Sequence, residues 1–148
     1  MKMVCKLTVF YPKNVPGFTS LPNGNEYSVL SALGIEKHNY ETGEISEVVL
    51  PSLKIPGLSN GRIKLEDIDD YSFSADEKKI LIATEQEDIY RRSTKAYYYI
   101  FDKEKSKIVA LSDNEKGKQS FATFSDDGNK VAFVRDNNIF MVDLNTMK

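Results

Sequence analysis

Apolar residues in this chain fall into short runs, most of them alternating with polar positions, and each run is closed by Asp, Asn, Gly or Pro. Alternation with a period of two marks a half-buried strand, and no stretch sustains the longer period of a helix. Residues 4–10 read as a strand that breaks at Pro12 and at Pro16-Gly17. Residues 27–33 and 35–40 form a hairpin, Glu41-Thr42-Gly43-Glu44 turns the chain, and residues 45–50 return. Pro51, Pro56-Gly57 and Asn60-Gly61 predict a loop, followed by a short acidic stretch over 63–70. Residues 80–84 make a compact apolar strand, and 96–102 are apolar or aromatic on both faces, as in a strand covered from two sides. Strands follow at 108–111, 131–134 and 139–143, with Asn137-Asn138 read as a two-residue hairpin turn. The pattern predicts an all-β chain.

The pattern also repeats. Phe73-Ser74-Ala75-Asp76-Glu77-Lys78-Lys79 and Phe124-Ser125-Asp126-Asp127-Gly128-Asn129-Lys130 are two copies of one unit, and Leu21-Pro22-Asn23-Gly24-Asn25-Glu26 is a weaker third. Strand-rich units recurring about every fifty residues are the signature of propeller blades. Residues 1–148 therefore read as a partial β-propeller of blade-like antiparallel sheets near 20–65, 70–115 and 121–148, about two blades and part of a third. Such a stack leaves sheet faces and edges uncovered, so a larger assembly or self-association into a homo-oligomer is expected. Glu77 stands where the other copies have Gly24 and Gly128, which predicts a different turn type in the second unit. Asp76, Asp126 and Asp127 are expected to cap the turns through side-chain to backbone hydrogen bonds.

Composition narrows the class. The chain is 41% hydrophobic and 28% charged, ordinary for a globular protein, and its net charge of −2 comes without a basic cluster, so nucleic acid is not an expected partner. Residues 1–10 carry Lys2 and Lys6 without a long apolar core or a small-residue cleavage site, so no export signal is read in this chain. Either the protein is cytosolic or a signal lies upstream. Cys5 is the sole cysteine, which excludes an intrachain disulfide and leaves a small packed hydrophobe as its reading. His38 is the sole histidine and has no assignable Ser or Asp partner, so it reads as a surface strand residue. Glu66, Asp67, Asp69 and Asp70 lack the glycine and spacing of a calcium loop and read as a solvated acidic turn; neither metal nor cofactor is expected.

Asp70-Tyr71-Ser72-Phe73-Ser74, Ile89-Tyr90-Arg91-Arg92-Ser93-Thr94, Ala96-Tyr97-Tyr98-Tyr99-Ile100-Phe101-Asp102 and residues 131–139 together resemble the N-terminal propeller region of the dipeptidyl peptidase IV family, serine peptidases of the prolyl oligopeptidase clan. Gly24-Asn25-Glu26-Tyr27 and Tyr40-Glu41-Thr42-Gly43 extend the resemblance towards the N-terminus. The resemblance implies a propeller capping an α/β-hydrolase domain, and release of dipeptides from peptide N-termini, usually after proline or alanine. It places the role of a substrate-anchoring arginine on Arg91, whose guanidinium offers fixed donors to a peptide carbonyl. No catalytic residue is assigned here: the nucleophile elbow with its Asp and His, the acidic pair that takes the substrate amine, and the remaining blades belong to segments this chain is read without. A periplasmic or membrane-anchored location follows from the family alone.

Two readings of Arg91 and Arg92 stand side by side. Glu85, Glu87 and Asp88 lie just upstream, so both arginines fit a solvated hairpin tip with weak ion pairs. The resemblance moves Arg91 to the substrate and leaves Arg92 at the tip. The Tyr97-Tyr98-Tyr99 run reads as core rather than as a ligand platform. The alternative for the whole chain is a non-enzymatic propeller used for protein interaction.

Overall fold

A computed structural model describes residues 18–51, 65–91 and 93–147. The strand at 4–10, Cys5, the breakers from Pro56 to Asn60-Gly61, and Arg92 lie outside the described residues. Three antiparallel sheets follow one another along the chain. The first comprises β1 (Thr19–Ser20), β2 (Glu26–Ser31), β3 (Gly34–Asn39) and β4 (Ile45–Pro51), hydrogen-bonded in chain order. The second comprises β5 (Ile68–Phe73), β6 (Lys79–Tyr90), β7 (Ser93–Asp102) and β8 (Lys107–Ala110), again in chain order. The third contains β9 (Ser120–Phe124), β10 (Lys130–Arg135) and β11 (Asn138–Asp143). Among the described residues the only helical segments are 3-10 turns at Leu65–Asp67 and Asn114–Lys116. The fold is an all-β partial propeller.

Strand alternation sends each middle-sheet residue to one of two cores. Ile80, Ile82, Tyr99 and Phe101 pack with Ile35, Leu50 and Tyr71 between the first and second sheets. Leu81 and Ile100 turn the other way and meet Val131 and Phe133 of the third sheet. Each buried side chain of this size contributes on the order of 2 kcal/mol of transfer free energy, so the middle sheet is fixed from both sides. Polar links add registry: Tyr71 Oη donates to Ser28 Oγ at 2.9 Å, and Lys79 Nζ donates to the Gly128 carbonyl at 3.2 Å.

The repeated turns share one geometry. Leu21, Ser74 and Ser125 each donate a backbone N–H to the residue five positions on, at 2.9–3.0 Å, and accept one from Gly24, Glu77 and Gly128. Glu77 has a φ of 56°, against 73° for Gly24 and 65° for Gly128. The expected change of turn type therefore does not occur; Glu77 takes the left-handed conformation, with its carboxylate bonded to Lys37 Nζ of the first sheet. Asp76 and Asp127 cap their turns, accepting from Lys78 N–H at 3.2 Å and Asn129 N–H at 3.0 Å. Asp126 does not: it occupies the position of Ala75, one residue too early for its side chain to reach the turn amides. The hairpin between β10 and β11 is also displaced by one residue from the expectation. Arg135 pairs with Asn138, and Asp136 and Asn137, at φ 51° and 60°, form the two-residue loop.

Candidate functional site

Between the first and second cores the β6–β7 hairpin runs well past the sheet that bears it. Lys79–Thr84 pair regularly with Tyr97–Asp102, and then the register shifts between Thr84 and Glu87, with Glu85 in a left-handed conformation at φ 51°. Beyond this bulge the two strands continue as a ribbon, Glu87 opposite Lys95, Asp88 opposite Thr94 and Tyr90 opposite Ser93, with Arg91 in the turn. Glu85 through Arg91 are all exposed. A two-stranded ribbon without a covered face is marginal on its own, so polar contacts must orient it.

Those contacts cluster at its root. Gln86 N–H donates to Asp69 Oδ2 at 2.7 Å. Glu87 receives Lys95 at 3.0 Å and Lys118 at 2.6 Å, and the Lys118 ammonium also lies 5.3 Å from the centre of the Tyr97 ring. The hydrogen bonds from Lys118 and Lys95 hold the Glu87 carboxyl below its ordinary pKa, and the Glu87 bond raises that of Lys118. Ala96 and Gln119 exchange backbone hydrogen bonds at 2.9 Å in both directions, joining the root to the lead-in of the third sheet. At the tip, no described residue bonds to the Arg91 guanidinium.

The other singled-out residues have structural work. His38 is half-buried rather than on the open surface: its ring stacks on Tyr27 at 5.2 Å, and its nitrogens lie 3.1 Å from Glu36 Oε2 and 3.2 Å from the Gly43 carbonyl. The acidic stretch is not simply solvated, since Asp69 holds Gln86 and Asp70 accepts from Tyr71 N–H at 2.8 Å. Tyr99 is buried in the first core, while Tyr98 lines a cavity of about 70 Å³ with Asp70, Tyr71, Ser72, Leu81, Ala83 and Ala122. Burial, then the Asp70 charge, pushes the Tyr98 phenol up. That volume suits water rather than a peptide. Sequence reasoning missed Lys118 and Asp69 because their partners lie 31 and 17 positions away.

The letters Gly-x-Ser-x-Gly occur once, at Gly57-Leu58-Ser59-Asn60-Gly61, outside the described residues. The segment lies between β4 and the Leu65–Asp67 turn that precedes β5, and the strand-to-α-helix setting of a nucleophile elbow is not found among the described residues. Nothing described brings a serine, a histidine and a carboxylate into a catalytic relay.

Repeated four-stranded sheets with a hairpin arm extended from one of them define a propeller segment, and sequence comparison specifies which kind. Residues 74–148 match the model of the dipeptidyl peptidase IV (DPP IV) N-terminal region. The chain belongs to that family. It is 42% identical over 69 residues to the "Probable dipeptidyl-aminopeptidase B" of Tuber melanosporum, covering 46% of this chain and 8% of the relative. It is 33% identical over 109 residues to the "Probable dipeptidyl peptidase 4" of Aspergillus flavus, covering 74% of this chain and 13% of the relative. Among solved structures, Porphyromonas gingivalis dipeptidyl peptidase 4 superposes with a TM-score of 0.79 at 31% identity, over 90% of this chain and 18% of that one. The chain thus spans a small part of the length of the proteins it matches.

Proposed function

We propose that this chain forms part of the propeller of a serine dipeptidyl peptidase, where it helps gate and anchor a peptide whose N-terminal dipeptide is to be released. Arg91 is the anchoring residue. One observation carries the reading: a cation without an intramolecular partner among the described residues sits at the tip of an arm that leaves its sheet. There the guanidinium can donate two hydrogen bonds to a substrate carbonyl, holding the peptide without entering the chemistry. Hydrolysis belongs to a companion α/β-hydrolase domain, and the remaining blades complete the cavity. An exported location, periplasmic or membrane-anchored, goes with this role.

The test begins in the source cells. A fluorophosphonate probe labels active serine hydrolases, and an antibody to this segment retrieves the product. A labelled band several times larger than 16.8 kDa is expected, whereas an unlabelled band near 16.8 kDa overturns the enzymatic reading. In the full-length protein, Arg91→Ala is expected to lower kcat/KM by the equivalent of about 1–3 kcal/mol, the scale of one charge-assisted hydrogen bond, with folding intact. Unchanged kinetics remove Arg91 from the site.

A further inference from the structure

The root of the arm holds a lysine that bridges two carboxylates on either side of the bulge. Lys118 belongs to neither arm strand; it precedes β9 and reaches back from the third sheet. Its Nζ lies 2.6 Å from Glu87 Oε1 and 3.9 Å from Glu85 Oε2, on either side of the bulge where the arm departs. The side chain is only 13% exposed. Next to it, Gln119 is fully buried, donates to the Gly117 carbonyl at 2.7 Å and accepts from Tyr98 N–H at 3.3 Å. Lys118 therefore projects from a fixed segment.

We propose that Lys118 is a positioning residue: it sets the angle at which the β6–β7 arm leaves its sheet, and through that angle the place of Arg91 against the substrate. The inference rests on the reading of Arg91 given above. An exposed ion pair ordinarily contributes little because two long side chains must be ordered to make it. Here one partner is already confined, and the quantity controlled is orientation rather than stability. From Glu87 to Arg91 the arm extends about 13 Å at roughly 3.3 Å per residue. A tilt of about 10° at the root would shift the tip by about 2 Å, enough to take the Arg91 guanidinium out of hydrogen-bond range of a substrate carbonyl. Lys95 cannot replace this restraint, because it lies on the arm and moves with it. Asp69 fixes Gln86 on one strand only.

The experiment is steady-state kinetics of the full-length protein on a chromogenic dipeptide substrate. Lys118→Met is expected to raise KM roughly threefold to tenfold while kcat stays within about twofold, the pattern of lost uniform binding. Lys118→Arg is expected to restore KM. Glu87→Gln, which removes the charge at an exposed position, is expected to reproduce the Lys118→Met effect, so the test survives if Lys118→Met fails to fold. In an Arg91→Ala background, removing Lys118 or the Glu87 charge is expected to add nothing further. Wild-type KM in both Lys118→Met and Glu87→Gln, or an undiminished loss when either is combined with Arg91→Ala, overturns the positioning role. A silent Arg91→Ala variant instead sinks the anchoring reading on which this one rests, and is read independently of Lys118.

Discussion

Glu77 shows how a single side chain can occupy a conformation its type disfavours. A non-glycine residue at φ 56° sacrifices about 1 kcal/mol relative to glycine. Its carboxylate is bonded to Lys37, whose side chain is only 7% exposed and whose ammonium lies 3.5 Å from Glu47 and 5.7 Å from the centre of the Phe73 ring. Burial pulls the Lys37 pKa down, but the Glu77 bond and neighbouring carboxylates outweigh it and leave it raised. Glu77→Gly should therefore destabilise by about 1 kcal/mol net, because losing a partner of a nearly buried cation outweighs the relief of backbone strain. In a Lys37→Met background the same change should stabilise by about 1 kcal/mol. Chemical denaturation of the four variants checks the reversal of sign. A turn at this place was legible from Asp76 and the repeat, but its type was not: Glu77 in place of glycine predicted a different turn, and the Lys37 partner of Glu77 lies forty positions away. Asp127 carries a second prediction at this scale. Bonds from Ser125 Oγ and Asn129 N–H lower its pKa from 3.8 to about 2. A depressed folded-state pKa stabilises above pH 3.8, and that contribution disappears as pH falls through about 2. The difference in urea midpoint between wild type and Asp127→Asn is accordingly expected at pH 6 and should vanish near pH 2.

At the scale of elements, the sequence discloses strands that bury a face and conceals those that do not. Residues 80–84 and 96–102 were recognisable because covered strands need apolar residues, and both lie in β6 and β7 of the middle sheet. The continuation of β6 through Glu85-Gln86-Glu87-Asp88 carries no strand pattern, since a ribbon wet on both faces imposes no alternation. The anchoring role proposed for Arg91 rests on family resemblance alone, and the root contacts were not legible at all. The arm should behave as a local unit of low stability, tied by polar contacts instead of a core. Hydrogen exchange is expected to be faster by orders of magnitude over 87–95 than over 80–84 and 98–101. Equal protection across the hairpin would show that the arm is braced by more than Lys118, Lys95 and Asp69.

The whole molecule follows from the demand that every sheet face be covered. The repeat was readable because each unit uses the same turn letters, and the middle sheet, buried on both faces, is the outcome that repetition predicts. The end sheet tells the complementary story. On β11, Ile139 and Met141 are 81% and 61% exposed, and alternation puts them on the face opposite the Val131 and Phe133 core. Ala132 and Val134 of β10 pair with them and share that face. Four apolar residues on one sheet surface offer a candidate contact for another apolar face. When the 148-residue polypeptide is expressed by itself, it is expected to self-associate through this surface. Sedimentation velocity should show mass rising with concentration, and Ile139→Lys with Met141→Glu should return the chain to a monomer without loss of strand content. A wild-type monomer at every concentration would mean that this face tolerates water. The apolar side chains of β11 would then need another account than docking against the next sheet.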